Sequence, residues 1–282
     1  MLLSRDKINR IIDIALEEDL GQGDVTTAVL IPPEICGNAH IRAKDNGILA
    51  GVYVAEAVFQ RIDASLQFHM KLDDGEQLSP DMEIAVITGS LASILKAERT
   101  ALNFLQRMSG IASVTARYVA AVAGMPTHIL DTRKTVPGLR ILDKYAVKMG
   151  GGDNHRFSLG DAILIKDNHL AILRARGVDL AKIIAQARQG SDPDIRIEVE
   201  VQSMADALIA AKAGANIVML DNMTLDEMSH VVNEVGDIFL LEASGKVDLD
   251  TVRTIAETGV DFISVGALTH SVKVLDISLD ID

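Results

Sequence analysis

Between Asp131 and Leu170 the chain carries seven basic residues, Arg133, Lys134, Arg140, Lys144, Lys148, Arg156 and Lys166, against five aspartates. The whole chain has a formal charge of -13, so the residues outside this stretch carry -15 and positive charge is concentrated here. In Asp131-Thr-Arg-Lys-Thr-Val-Pro-Gly138, Arg133 and Lys134 follow an apolar run and precede a Pro-Gly turn. Arg offers a planar fork to a carboxylate or phosphate and Lys a mobile point charge, a pairing suited to one ligand with several anionic groups. An isolated Arg-Lys pair is more often a solvated loop, so the neighbouring segment decides. Gly150-Gly-Gly-Asp-Asn-His-Arg156 brings three glycines, which let backbone N–H groups approach an anion, and sets His155 and Arg156 beside them. Lys166 closes the apolar run Ala162 to Ile165. The chemistry expected is the grip of a small, multiply anionic, phosphate-bearing ligand.

Acids follow the bases. Glu198 and Glu200 lie two apart in Ile197-Glu-Val-Glu-Val201, a spacing that puts both on one face of a strand, and Asp221 ends Val218-Met-Leu-Asp221. Buried acids need partners: a cationic cluster, substrate hydroxyls or a hard cation such as Mg²⁺, with an internal ion-pair network as the plainer alternative. Leu241-Glu-Ala-Ser-Gly-Lys246 and Ser264-Val-Gly-Ala-Leu-Thr-His270 place Ser244, Gly245 and Gly266 at the last two strand ends, where barrel enzymes commonly seat a phosphate. His40, His69, His128 and His230 have no such setting and read as structural or surface residues.

What could bring these groups together is a parallel sheet. After Pro126, strand-length apolar runs alternate with amphipathic helical stretches: 127–131, 162–166, 195–201, 216–221, 238–242 and 262–265. Lys166, Glu200, Asp221, Ser244 and Gly266 follow one another at intervals of 34, 21, 23 and 22 residues, close to one βα unit. A (β/α) barrel is the simplest closure, and it carries the carboxyl ends of its strands to one mouth. The earlier part is different. Ile8, Ile11, Ile12, Ala15 and Leu16 predict a helix that ends at Gly21-Gln-Gly-Asp24, and short runs at 40–43, 48–51 and 66–72 predict strands. Good helix formers run from Leu91 to about Ala123, with a break expected at Ser109-Gly110. The expected fold is α/β: a small amino-terminal α+β sandwich domain over 1–108 and an incomplete (β/α) barrel over 109–282, the last residues packing back on the first domain.

The bulk numbers agree. A chain of 282 residues with 48% hydrophobic and 3% aromatic residues builds its core from aliphatic side chains, as helix-covered parallel sheets do. No apolar run approaches the roughly 20 residues that span a bilayer, and the first 18 residues alternate charge with Ile and Leu instead of forming a signal peptide, so a cytoplasmic protein is expected. The acidic balance argues against a nucleic-acid or membrane partner. A single cysteine, Cys36, excludes a disulfide framework or a multi-cysteine metal site.

Together these motifs resemble the quinolinate phosphoribosyltransferase family. The likeness extends to Glu17-Glu-Asp-Leu-Gly-Gln-Gly-Asp-Val-Thr-Thr27, Glu98-Arg-Thr-Ala-Leu-Asn103, Lys144-Tyr-Ala-Val147 and Ile165-Lys-Asp-Asn-His169, and so runs nearly end to end. A family associated with molybdenum transport genes shares the Arg-Lys-Thr and triple-glycine elements, but Tyr145, Asn154 and 165–169 resemble the quinolinate enzymes. The resemblance implies that quinolinate and phosphoribosyl pyrophosphate give nicotinate mononucleotide, pyrophosphate and carbon dioxide with Mg²⁺, in NAD synthesis. It implies a homodimer, with Arg99 lent to the neighbouring site. By position, Arg133, His155, Arg156, Lys166 and Arg99 would hold the dicarboxylate. Lys134, Glu200, Asp221, Ser244, Gly245, Gly266 and His270 would hold the phosphoribosyl part, with Lys134, Lys166, Glu200 and Asp221 catalytic and Glu200 and Asp221 on the metal, directly or through substrate or water. Lys246 stands where many relatives have Gly.

Two rivals stay open on the residues alone: a barrel lyase with Lys166 as a Schiff base, and a noncatalytic phosphate or nucleotide sensor on the same scaffold.

Overall fold

The computed structural model describes residues 4–236 and 238–282. Numbered in chain order, its elements begin α1 (Arg5–Leu20), α2 (Val25–Leu30), β1 (Cys36–Ala43), β2 (Gly47–Ile48), α3 (Val52–Ile62), β3 (Gln67–Met70), β4 (Gln77–Leu78), β5 (Glu83–Ser90) and α4 (Leu91–Ala121). There follow β6 (His128–Leu130), α5 (Arg140–Met149), β7 (Ile163–Ile165), α6 (Asp167–Arg174), α7 (Leu180–Gln189), β8 (Ile197–Val201), α8 (Met204–Lys212) and β9 (Ile217–Asp221). The chain ends with α9 (Leu225–Val235), β10 (Leu240–Ser244), α10 (Val252–Ala256), β11 (Phe262–Ser264), α11 (Ala267–His270) and β12 (Ile277–Ile281). Two compact units emerge, one of Met1–Ala116, Thr135–Gly151 and Leu268–Asp282, the other of Arg117–Lys134 and Gly152–Ala267.

The first unit is built on a four-stranded antiparallel sheet in the order β12-β1-β5-β3. Along β1 the buried residues alternate, Ala39, Ile41 and Ala43, as a strand with one covered face requires. Neither β5 nor β12 was evident in the sequence, and the predicted strand 48–51 is reduced to Gly47–Ile48. Helix α1 buries Ile8, Ile12 and Leu16, one per turn, and stops where Gly21 takes φ 49.

Helix α4 corrects the expected break. It runs unbroken through Ser109 and Gly110, because both residues serve neighbouring chain. The Ser109 hydroxyl donates to the Ala50 carbonyl and accepts from the Ala50 N–H. A Cβ on Gly110 would lie 2.3 Å from the Lys273 carbonyl oxygen, so the missing side chain admits that segment against the helix.

In the second unit six parallel strands pair in the order β6-β11-β10-β9-β8-β7. That is the order met in walking round a barrel, with the ring open between β6 and β7. On the free side of β6 a single bridge joins Leu130 to Asp153. The strand predicted over 238–242 sits two residues later, at 240–244, so Glu242 lies inside it instead of ending it. Registers pair Ser244 with Asp221, Glu200 with Met219 and Ser264 with Leu130. The carboxyl ends of the strands thus share one rim, and Val199, Val218, Leu220, Ala243 and Ile263, which alternate with the cavity residues, are buried on the other face of the sheet.

Candidate functional site at the strand ends

After β7, β8, β9 and β11 a helix begins within four residues, and local hydrogen bonds fix the loops at the strand ends. Asp131 follows β6 and is fully buried; its carboxylate accepts from Asn154 Nδ2 at 2.7 Å and from the His155 N–H at 2.9 Å. Backbone bonds from Asp131 to Asp153 and from Asp153 to Ile129 stitch the same loop to the strand. The Lys166 N–H donates to His169 Nδ1 at 2.9 Å as α6 begins. Ser203 caps α8, and Thr224 caps α9 in a reciprocal pair with Glu227.

One cavity of about 410 Å³ opens at this rim, lined by Arg133, Lys134, His155, Arg156, Lys166, Glu200, Asp221, Glu242 and Ser244, with Thr132 and Ser264 completing its polar wall. Eight of the twelve side chains singled out in the sequence therefore meet in one place. Gly245 and Gly266 belong to the same unit but do not line the cavity. Arg99, exposed on α4, and His270, exposed and bonded to Ser271, belong to the first unit.

The glycine run does less than its composition suggested. The N–H groups of Gly150 and Gly151 are spent on the Ala146 and Lys148 carbonyls, closing α5. A Cβ on Gly150 would sit 2.3 Å from the Ala112 carbonyl oxygen, so part of the glycine signal is close packing on α4.

Charge is not balanced within the cavity. Burial lowers the Arg156 pKa, and the nearby Arg133 lowers it further. Two guanidiniums held this close call for an anion between them. Glu200 is pushed up, first by burial and further by the charge of Asp221, while Lys166, 3.5 Å away, opposes the rise. Lys166 is about half exposed and paired, unlike the desolvated amine that Schiff-base chemistry needs, which weakens the lyase reading.

Asp221 is aimed by its neighbours. Its Oδ2 accepts from Asn222 Nδ2 at 2.9 Å and from Gln202 Nε2 at 3.2 Å. At the cavity floor His155 accepts the Arg156 N–H on Nδ1 at 2.7 Å, so its proton sits on Nε2, 2.9 Å from Glu198 and 3.6 Å from Glu242. Both Glu242 oxygens are buried without a hydrogen-bond partner. Burial, then the Glu198 charge, pushes the Glu242 carboxyl up to about 8; His155 and Ser264 oppose that rise without cancelling it. These three residues put donor atoms within 4.8 Å of one another. Glu242 was missed in the sequence; the signal that could have found it is its place two residues before Ser244, on the same strand face.

Comparison with known proteins gives the family. The model of the quinolinate phosphoribosyl transferase N-terminal domain matches residues 24–109, and that of the C-terminal domain matches 111–280. The quinolinate phosphoribosyltransferase [decarboxylating] 1 of Nicotiana glauca is 43% identical over 96% of this chain and 81% of its own length. The probable nicotinate-nucleotide pyrophosphorylase [carboxylating] of Bacillus subtilis (strain 168) is 39% identical over 98% of this chain and 93% of its own. Among solved structures, NadC from Streptococcus pyogenes superposes with a TM-score of 0.95 at 40% identity, covering 100% of this chain and 99% of that one. This chain belongs to the quinolinate phosphoribosyltransferase family.

Proposed function

We propose that the cavity at the strand ends is where this pentosyltransferase joins quinolinate to phosphoribosyl pyrophosphate, releasing pyrophosphate and carbon dioxide and leaving nicotinate mononucleotide for NAD synthesis. One observation carries the assignment: Arg133, Lys134, Arg156 and Lys166 line a single cavity together with Glu200 and Asp221, with Lys166 3.5 Å from Glu200. The bases suit a dicarboxylate and a polyphosphate, and the acids suit a sugar that becomes cationic.

Arg133, Arg156 and Lys166, with His155 behind them, hold the two carboxylates; Lys134, Ser244 and Asp221 face the phosphoribosyl group. Gly245 and Gly266 join the phosphoribosyl side through their loops. Departure of pyrophosphate leaves positive charge on the sugar ring, which Glu200 and Asp221 stabilise while Lys134 and Lys166 offset the charge that leaves. No covalent nucleophile is required, and most of the work is position and field. The cationic pyridine nitrogen then eases loss of the carboxylate beside it.

Glu200 and Asp221 fit a hard cation, since two carboxylates crowded enough to raise one pKa gain from an ion between them. They are the residues that would hold Mg²⁺, which when bound would neutralise phosphate charge. A homodimer in which Arg99 reaches the neighbouring site, and a cytosolic location, belong to the same proposal.

Incubation of the protein with quinolinate, phosphoribosyl pyrophosphate and Mg²⁺ is expected to yield nicotinate mononucleotide by mass spectrometry. Lys134→Ala and Arg156→Ala are expected to lose on the order of 10²-fold in rate. Unchanged turnover in both removes these residues from the site. Tight binding without pyrophosphate release would instead favour the sensor reading.

A further inference from the structure

Among the ionisable groups of the cavity, Glu242 has no part in the scheme above. Strand β10 carries it to the floor, two residues below Ser244 at the rim, where it lines the same cavity as Arg133, Arg156 and Lys166. It is wholly buried, and among the described residues only the Ser264 hydroxyl turns toward its oxygens and no Lys or Arg is paired with it. A buried carboxylate so placed is costly, and the molecule has not neutralised it with a base.

A second buried acid makes matters worse. Glu198, from β8, approaches the same His155 nitrogen. His155 cannot answer both acids. Its Nδ1 is taken by the Arg156 N–H, so the ring carries one proton, on Nε2, and that proton points at Glu198 at 2.9 Å. Glu242, at 3.6 Å, is left over. Ser264 of β11 turns its hydroxyl toward it, and the Glu198 charge, not that of Glu242, acts on Arg156. The state consistent with this packing is the neutral acid, an O–H held at the edge of a substrate cavity. A carboxylic acid kept neutral in an apolar setting is a proton donor in waiting.

The established reaction needs one. Loss of carbon dioxide breaks the bond between pyridine C2 and its carboxyl carbon and leaves the electron pair on C2, beside the cationic nitrogen. A proton must then form the C2–H bond of nicotinate mononucleotide. The bases of the cavity are committed to anions, and a cation that gave up its proton would lose its hold on them.

We propose that Glu242 is the catalytic acid that protonates C2 once the carboxyl group has left. The O–H bond of Glu242 breaks, the C2–H bond forms, and Glu242 becomes a carboxylate that regains a proton from water when product departs. No oxidant, reductant or further reactant is needed. The proposal rests on the cavity being the site of the family's reaction, and that reading is tested on the unaltered enzyme by product formation.

The test is Glu242→Gln, which keeps shape and removes the proton. In a rapid-quench experiment, pyrophosphate release is expected to continue while nicotinate mononucleotide falls on the order of 10²-fold. The mononucleotide that still holds both carboxylates is expected to accumulate, heavier than product by one carbon dioxide. Product at the unaltered rate overturns the proposal, and so does pyrophosphate falling in parallel with product without accumulation. Should the variant misfold, the unaltered enzyme serves: as pH rises past about 8, decarboxylation is expected to fall relative to pyrophosphate release. A constant ratio overturns it.

Discussion

Asn222 adopts φ 54, a left-handed conformation that costs a side chain about 1 kcal/mol or more, and it does so at the mouth of the cavity. The bend turns its amide onto Asp221 and its N–H onto the Ser244 carbonyl. Gly245 makes the arrangement possible, since a Cβ there would lie 2.3 Å from Asn222 Oδ1. Asn222→Gly keeps the backbone and removes one donor to Asp221. The variant is expected to lose roughly 10-fold in kcat/KM for phosphoribosyl pyrophosphate with no fall in Tm; a lowered Tm with unchanged kinetics would show that the amide only supports the turn. Lys246 shows the same left-handed backbone one strand along, at φ 50, a conformation that favours glycine.

Glu242 carries a consequence for stability as well as for chemistry. Its folded-state pKa lies above the ordinary glutamate value of 4.5, so the folded chain binds that proton more tightly than the unfolded chain. The resulting stabilisation is complete below 4.5 and is lost as pH rises toward about 8. Asp74 and Asp143, both raised chiefly by burial, act in the same direction. The Tm is expected to fall through this window and Glu242→Gln to flatten the decline, with melting curves from acid to mild base as the check. This residue was hidden from sequence reasoning by a two-residue error in β10. Read as a strand end, it is a solvated rim acid; read as a strand interior, it is a buried one.

Elements set how much of the site was legible. Lys166, Glu200, Asp221 and Ser244 stand where apolar runs meet polar turns, and a parallel strand with both faces covered announces its end by that change. The strands of the first unit announced less. β5 and β12 owe their places to pairing with β1, information that lies elsewhere in the chain. The Ser109-Gly110 pair misled for a related reason: propensity measures a residue alone, whereas these two are chosen for what presses against the helix. Gly110→Val is therefore expected to cost about 1–3 kcal/mol despite better helix propensity, read as a fall in denaturation midpoint. A second contact of α4 tests harder. Arg107 grips Asp143 of α5 with two bonds, at 3.0 and 2.9 Å, and Asp143 is fully buried. Arg107→Ala is expected to cost about 3–5 kcal/mol by stranding that carboxylate.

At the scale of the whole molecule, the expected dimer is separable from the expected chemistry. Arg99→Ala and Lys134→Ala chains, each inactive alone, should regain activity when mixed if each subunit lends Arg99 to its neighbour. Random exchange would restore roughly a quarter of the sites, because one site of each mixed dimer carries neither change. No recovery after demonstrated exchange would confine Arg99 to its own chain.

The outer strand of the first sheet comes from residues 277–281, which pair with 39–43 and lie more than two hundred residues away in sequence. During synthesis, the edge of β1 that will receive this strand stands bare until residues 277–281 have been made. The parallel unit, contributed by the intervening chain, can organise first. An unpaired edge invites strands from other nascent chains for all of that interval. Slow translation of the intervening chain would lengthen this exposure.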